Sequence, residues 1–195
     1  MQLFIRVSKR LASLVSVIAA VTAGQIRLDA QQVEWNVHRD QAAGFEIPYP
    51  GAWRVIVAKP RSGPGAAWEP EVLLDGELHK TVFYESGESV WPGQYTVRVL
   101  ENPDSIDLEA AYSQFDLSDL WDSSAADTAL AGHPAKTWIR WSFDSLVREY
   151  LLVRPDRMFH ILFDEENGND PNFAGHRDVF VKMTAGFRLL PGAVR

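Results

Sequence analysis

The residues best suited to chemistry form an acidic segment near the end of the 195-residue chain. Residues 164–170 are Asp-Glu-Glu-Asn-Gly-Asn-Asp, and clustered carboxylate and amide oxygens are the ligands that a hard cation such as calcium prefers. However, the glycine stands one position earlier than in an EF-hand loop, and no acidic residue closes the segment. We therefore predict no cofactor and interpret the segment first as a solvated acidic loop before a helix. Asp164, Glu166 and Asp170 remain candidate calcium ligands.

Histidines and nucleophiles show no catalytic spacing. The five histidines stand singly along the chain, at positions 38, 79, 133, 160 and 176. No pair has the helical spacing that a zinc site needs, and no Gly-x-Ser-x-Gly elbow occurs. We predict that the protein is not an enzyme and has no catalytic residues. A hydrolase whose site is assembled only by the fold remains an alternative.

Aromatic side chains are the strongest candidates for recognition. Seven tryptophans are present, and two of them, Trp68 and Trp91, fall in predicted loops. The first loop, residues 60–70, is rich in proline and glycine, which resist regular structure. Exposed aromatic side chains there would mark a recognition surface. The alternative is that Trp68 and Trp91 cover the edge of a sheet.

The N-terminus has the pattern of a secretory signal peptide. Arg6, Lys9 and Arg10 precede an apolar run over residues 11–21, and small residues follow it. We predict a signal peptide over residues 1–23 with cleavage after Ala23, cleavage after Ala30 being the alternative, and then a short mature segment over residues 24–33. An uncleaved anchor is disfavoured because the run is shorter than a bilayer span. The mature protein is therefore expected to be periplasmic or extracellular, without a transmembrane segment.

Charge and cysteine content limit the class of partner. The formal net charge is −7, and the three cations lost with the signal peptide would make it −10. An acidic chain argues against nucleic acid and anionic membrane surfaces, which attract basic patches. No cysteine is present, so a hydrophobic core alone must hold the exported domain together. A protein partner in the envelope or in a membrane complex fits these properties best.

Residues 44–53, Gly-Phe-Glu-Ile-Pro-Tyr-Pro-Gly-Ala-Trp, predict where folding begins. Phe45, Ile47 and Tyr49 alternate with polar or proline residues, which is typical of a strand with one apolar face. The two prolines lack the N–H that a central strand needs, so we predict an edge strand followed by a turn. A second strand should then place Trp53 on the core face.

Further along the chain, the pattern predicts an antiparallel meander between two helices. The first helix should be capped by Ser105 and bury Leu108, Ala111, Tyr112 and Phe115. Strands are predicted over residues 135–143, 146–153 and 157–163, joined by short turns. The last helix should follow Asp170 and Pro171. Its inward stripe is Phe173, His176, Phe180, Met183 and Phe187.

Three segments resemble PsbP-like domains, whose superfamily also includes the Mog-type Ran-binding proteins. Residues 44–53 resemble the family's GF-x-(I/V)-x-YP-x-x-W opening, residues 132–135 its G-x-P-A entry into the late strands, and residues 183–189 its closing helix. The resemblance places a PsbP-like domain over residues 34–192. It implies an α+β fold, an α/β/α sandwich with a central antiparallel sheet flanked by helices.

The same resemblance implies a function. PsbP supports photosystem II from the lumenal side, so the expectation here is an exported, non-enzymatic accessory protein that supports a larger envelope or membrane assembly. A module that binds a small ligand or a divalent cation is the alternative. No residue of this chain matches a family motif that carries a specific role, since the shared segments are packing motifs.

Overall fold

Ten strands and two helices make up the part of the chain that the structure describes. The structure is a computed structural model that describes residues 33–58, 76–85, 94–115, 125–142, 145–167 and 173–191. Contacts divide the chain into Met1–Val33 and Glu34–Arg195, and every element below belongs to the second unit. The strands are β1 Trp35–Asp40, β2 Phe45–Pro50, β3 Trp53–Val57, β4 Glu77–Glu85, β5 Gln94–Glu101, β6 Ala126–Leu130, β7 His133–Ser142, β8 Ser145–Val153, β9 Arg157–Asn167 and β10 Arg188–Leu189; the helices are α1 Leu108–Tyr112 and α2 Phe173–Gly186.

The strands form two antiparallel sheets. One has three strands in the order β1-β2-β10, and the other has seven in the order β3-β4-β5-β9-β8-β7-β6. The predicted meander is confirmed, because β7 pairs with β8 and β8 with β9 through short connections. The sequence did not predict β6 or the two-residue β10. The seven-stranded sheet is the frame to which the other elements attach.

One face of the seven-stranded sheet carries the main core. Aromatic side chains from β2, β4, β5 and β9 meet the inner stripe of α2, and Tyr95 stacks on Phe163 with ring centroids 5.5 Å apart. Four residues of the predicted stripe are buried, His176, Phe180, Met183 and Phe187, and Trp53 packs edge-on against Phe180. Burial of these large side chains is the dominant favourable contribution to folding.

The opposite face is covered in part by α1. Ala111 packs with Trp138, Leu151 and Met158. Of the predicted stripe only Ala111 is buried, and Leu108, Tyr112 and Phe115 are half-buried against the same cluster. The helix is capped by Asp107, which accepts a hydrogen bond from the Ala110 N–H, and not by Ser105 as predicted. Ser105 has φ of 49° and instead donates its hydroxyl to the carbonyl of Pro155 at 2.8 Å.

The predicted α/β/α sandwich is therefore only partly present. The antiparallel sheet is confirmed, but the described residues are mostly strand, and the helices span only 5 and 14 residues. A full helical layer on each face is not seen in those parts of the chain. The architecture is better described as two antiparallel sheets with a short helix on each face of the larger one.

The prediction that β2 is an edge strand was wrong. It is central, with β1 on one side and β10 opposite Phe45 and Glu46 on the other. The Gly51 N–H donates to the Glu34 carbonyl at 2.7 Å, so alternate residues of β2 direct their backbone groups to β1. The nitrogens of Pro48 and Pro50 point to the side of β2 on which β10 lies. Both prolines are past the end of β10, which pairs only with Phe45 and Glu46. Proline is tolerated there because no ladder hydrogen bond is lost.

Candidate functional site

The residues predicted as calcium ligands do not lie in a loop as far as the structure describes them. Strand β9 runs to Asn167, so Asp164 and Glu166 are strand residues, and the expected solvated acidic loop was wrong for residues 164–167. Asp170, Trp68 and Trp91 lie outside the described residues. Within the described ranges, no three histidine or acidic side chains are grouped closely enough to hold a metal. Calcium binding stays a prediction.

Glu165, which the sequence did not single out, has a structural role. Its carboxylate accepts from Arg148 Nε at 2.7 Å and from Arg177 Nη2 at 2.8 Å. Arg148 belongs to β8 and Arg177 to α2, so the carboxylate joins the helix to the sheet. Two guanidinium partners offset the cost of placing this charge in a largely buried position.

A second polar cluster lies on the α1 side of the large sheet, and we call it the buried triad: Arg140, Glu149 and His160. The three residues come from β7, β8 and β9, where the register brings them together. His160 Nε2 lies 2.5 Å from one oxygen of Glu149, and Arg140 Nε binds the other oxygen. Glu149 is 1 % and His160 3 % exposed. Charged side chains this deeply buried are rare unless paired.

The environment of the triad sets its charges. Burial lowers the pKa of His160, and the nearby Arg98 and Arg140 act in the same direction against the opposing effect of Glu149. Burial alone would raise the pKa of Glu149, but hydrogen bonds from His160 and Arg140 hold it below its usual range. At neutral pH the triad therefore consists of a carboxylate between a neutral imidazole and a guanidinium.

Aromatic rings enclose the imidazole. Trp138 stacks on His160 with centroids 6.0 Å apart, and Phe115 meets it edge-on at 4.9 Å. The Nδ1 atom of His160 is buried and has no hydrogen-bond partner among the described residues. With its carboxylate and imidazole removed from solvent, the triad in this conformation anchors the sheet and does not meet a substrate.

The sequence contained a signal for this triad. Glu149 interrupts the apolar strand Leu146-Val147-Arg148-Glu149-Tyr150-Leu151, and His160 interrupts a second apolar strand in the same way. A polar residue inside an apolar strand pattern must find a partner if it is buried. Treating each histidine singly missed this, because the pairing depends on the register of β8 and β9.

An open pocket of about 200 Å³ lies beside the turn between β1 and β2, and we call it the turn pocket. Its lining residues are Ala42, Ala43, Leu78, His79, Val99 and Arg157. Asp40 accepts from the Ala43 N–H at 2.8 Å, and Arg157 Nη1 donates to the Ala43 carbonyl at 3.1 Å. These contacts from β1 and β9 fix the turn that forms one wall. The pocket has room for a small molecule or a single side chain.

His79 gives the turn pocket polar character. Its Nε2 atom lies 3.1 Å from Asp40 Oδ2 and 2.9 Å from Thr81 Oγ1. Burial lowers the pKa of His79, although Asp40 opposes the shift. A neutral imidazole that donates from Nε2 to Asp40 keeps Nδ1 as a hydrogen-bond acceptor.

The two sheets and the position of α2 define a PsbP-like fold. Among solved structures, the chain is similar to the cyanobacterial PsbP protein CyanoP from Synechocystis sp. PCC 6803, with a TM-score of 0.51 and 12% identity, over 83% of this chain and 95% of that one. At this identity the similarity shows the fold alone.

Two further structures match less closely. LpqN from Mycobacterium tuberculosis, described as involved in cell envelope biogenesis, has a TM-score of 0.44 and 13% identity over 84% of this chain and 88% of its own. A protein from Bacteroides thetaiotaomicron VPI-5482 has a TM-score of 0.44 and 11% identity, over 82% of this chain and 50% of its own. Neither a family model nor a curated protein sequence matches the chain. Neither α1 nor α2, the helices of the described residues, has the length and apolar character of a membrane span.

Proposed function

We propose that this chain is an exported accessory protein of the PsbP-like type, which binds a protein of the cell envelope and supports a larger assembly there. The observation that carries the proposal is the PsbP-like fold, which the chain shares with CyanoP over 95% of that structure. The N-terminal pattern of residues 1–23 supports export to a periplasmic or extracellular location. The role involves no catalytic step and no cofactor.

The exposed surface suggests where a partner would bind. Trp141, near the end of β7, is 43% exposed. Aromatic residues are enriched in the centres of protein interfaces, where they bury a large area at a low entropic cost. We therefore assign a recognition role to Trp141. The sequence analysis predicted this role for Trp68 and Trp91, which lie outside the described residues.

In-cell cross-linking tests the proposal. The tagged full chain is cross-linked in its native cells, and captured proteins are identified by mass spectrometry. We expect one envelope or membrane complex at near-stoichiometric yield. Capture of nothing above the background of an unrelated exported protein would contradict the accessory role. It would favour the alternative of a small-ligand module, which the turn pocket supports.

A site-specific version tests the surface. A photo-reactive p-benzoylphenylalanine replaces Trp141 in one variant and Asp104, an exposed residue between β5 and α1, in the control. The Trp141 variant should capture the partner on irradiation, and the Asp104 variant should not. Equal capture from both positions would show that Trp141 does not define the binding surface.

A further inference from the structure

Strand β1 presents an open edge. It is the outer strand of the three-stranded sheet, and within the described residues only β2 pairs with it. Because the Gly51 N–H donates to the Glu34 carbonyl, even-numbered residues of β1 direct their backbone groups to β2. The backbone groups of Trp35, Val37 and Arg39 therefore point away from the sheet. They form a row of alternating donors and acceptors that a further strand can use.

The side chains along this edge do not protect it. Val37 is 61% exposed, although it is a large apolar residue in a regular strand. Natural edge strands are often blunted by charged side chains, proline or a bulge. Strand β1 has no proline, its pairing with β2 is regular over all six residues, and its outward charge, Arg39, is bound by Glu46 of the same sheet. An extended edge of this kind is suited to strand addition.

We infer that β1 pairs with β1 of a second copy of this chain, antiparallel and centred on Val37, so that two three-stranded sheets join across a two-fold axis. A two-fold interface uses the same surface on both copies, so the strand must be complementary to itself. Pairing centred on Val37 places Val37 opposite Val37 and Arg39 opposite Trp35, so an apolar pair lies at the centre of the interface and no like charges face each other.

Other registers are less favourable. A shift of one strand by two residues keeps the outward backbone groups aligned and moves the centre of the pairing by one residue. A register centred on Asn36 leaves Arg39 without a partner in the other β1, and one centred on His38 leaves Trp35 without one. A register centred on Arg39 would place two guanidinium groups directly opposite each other, which is destabilising. The register centred on Val37 pairs all three outward residues of β1.

The absence of native cysteine gives a direct test of this register. In a hydrogen-bonded antiparallel pair the opposite Cα atoms are about 5.5 Å apart, a separation that a disulfide can span. Val37→Cys should therefore form a disulfide-linked dimer under mild oxidation. Arg39→Cys is the matched control on the same face, because the two copies of residue 39 would be about 13 Å apart along the strands.

The dimer is tested on the full chain purified after any processing by the cell. The result of this test does not depend on the proposed accessory role. Sedimentation velocity should show a dimer fraction of the wild type that rises with concentration. Val37→Lys should abolish it, because two lysines would stand opposite each other. At low concentration, where the wild type is monomeric, the variant should have the same Tm, because the position is exposed. A wild type that stays monomeric at all concentrations, or equal cross-linking through positions 37 and 39, would overturn the inference.

Discussion

Glu149 is a charged residue in the middle of a buried strand, and its partners offset the cost of burying it. Glu149→Gln keeps the shape but removes the negative charge, while the neutral imidazole of His160 can change tautomer and accept from the new NH₂ group. The Arg140 guanidinium loses the charge with which it pairs. We expect the free energy of unfolding to fall by about 3 kcal/mol, measured by urea denaturation.

The same substitution at Glu46 is the matched control. Glu46 accepts from Arg39 at 2.6 Å, but the Arg39 side chain is largely exposed, so water competes for the pair. Glu46→Gln should change the free energy of unfolding by less than about 1 kcal/mol. If the free energy of unfolding falls by equally little in both variants, the buried triad does not anchor the sheet.

The residues that form these sites could be predicted only in part. The alternation of β2 and β3 and the stripes of the two helices identified part of the core, including Phe45, Trp53 and Phe180. Glu149 and His160 are eleven positions apart, and only the register of β8 against β9 shows that they meet. That register includes a shift between Leu146 and Val147, for which no sequence signal was available. The turn pocket likewise joins residues from strands distant in the chain.

Gly186 has no side chain, and this allows the end of helix α2 to lie close to Pro48 of strand β2. A Cβ atom at Gly186 would lie 2.2 Å from Pro48 Cγ and 2.6 Å from Pro48 Cδ. The proline ring is rigid and cannot turn aside, so the helix end or the strand must shift. Gly186→Ala should lower the free energy of unfolding by about 1–3 kcal/mol, measured by thermal or urea denaturation.

Gly175 provides a control in the same helix. A Cβ atom there would meet nothing within 4 Å, so Gly175→Ala should stabilise the protein by about 0.5–1 kcal/mol through helix propensity. Destabilisation by both variants would point to a general intolerance of the helix to substitution. Opposite signs would confirm that Pro48 requires glycine at position 186.

The elements that sequence patterns missed are those whose formation depends on a neighbour. Strand β10 has two residues, too few for any periodicity, and it forms because α2 delivers the chain beside Phe45 and Glu46. Strand β6, Ala-Asp-Thr-Ala-Leu, has only one β-branched residue and no aromatic residue, and it is defined by its pairing with β7. Both additions changed the topology, and β10 made β2 central.

At the scale of the whole molecule, three histidines make stability depend on pH: His160 is buried, and His38 and His79 are half-buried. Burial lowers the pKa of His38, His79 and His160 from the ordinary value of 6.5. Below that pH the unfolded chain binds protons that the folded chain does not, so stability is lost as the pH falls. Glu149, whose folded pKa lies below 4.5, adds a further loss under about pH 4.5. We expect Tm to be highest near neutral pH and to decrease from pH 7 to pH 5.

His160 should account for the largest share of this decrease, because it is the most deeply buried of the three. While it stays neutral in the folded state, it contributes a loss of roughly 1 kcal/mol for each pH unit below 6.5. His160→Gln retains an N–H donor for Glu149 but does not titrate, so its Tm should vary less between pH 7 and pH 5. His133→Gln, at a partly exposed position, is the control and should follow the wild type. A His160→Gln profile parallel to that of the wild type would show that His160 accepts a proton as readily in the folded chain as in the unfolded one.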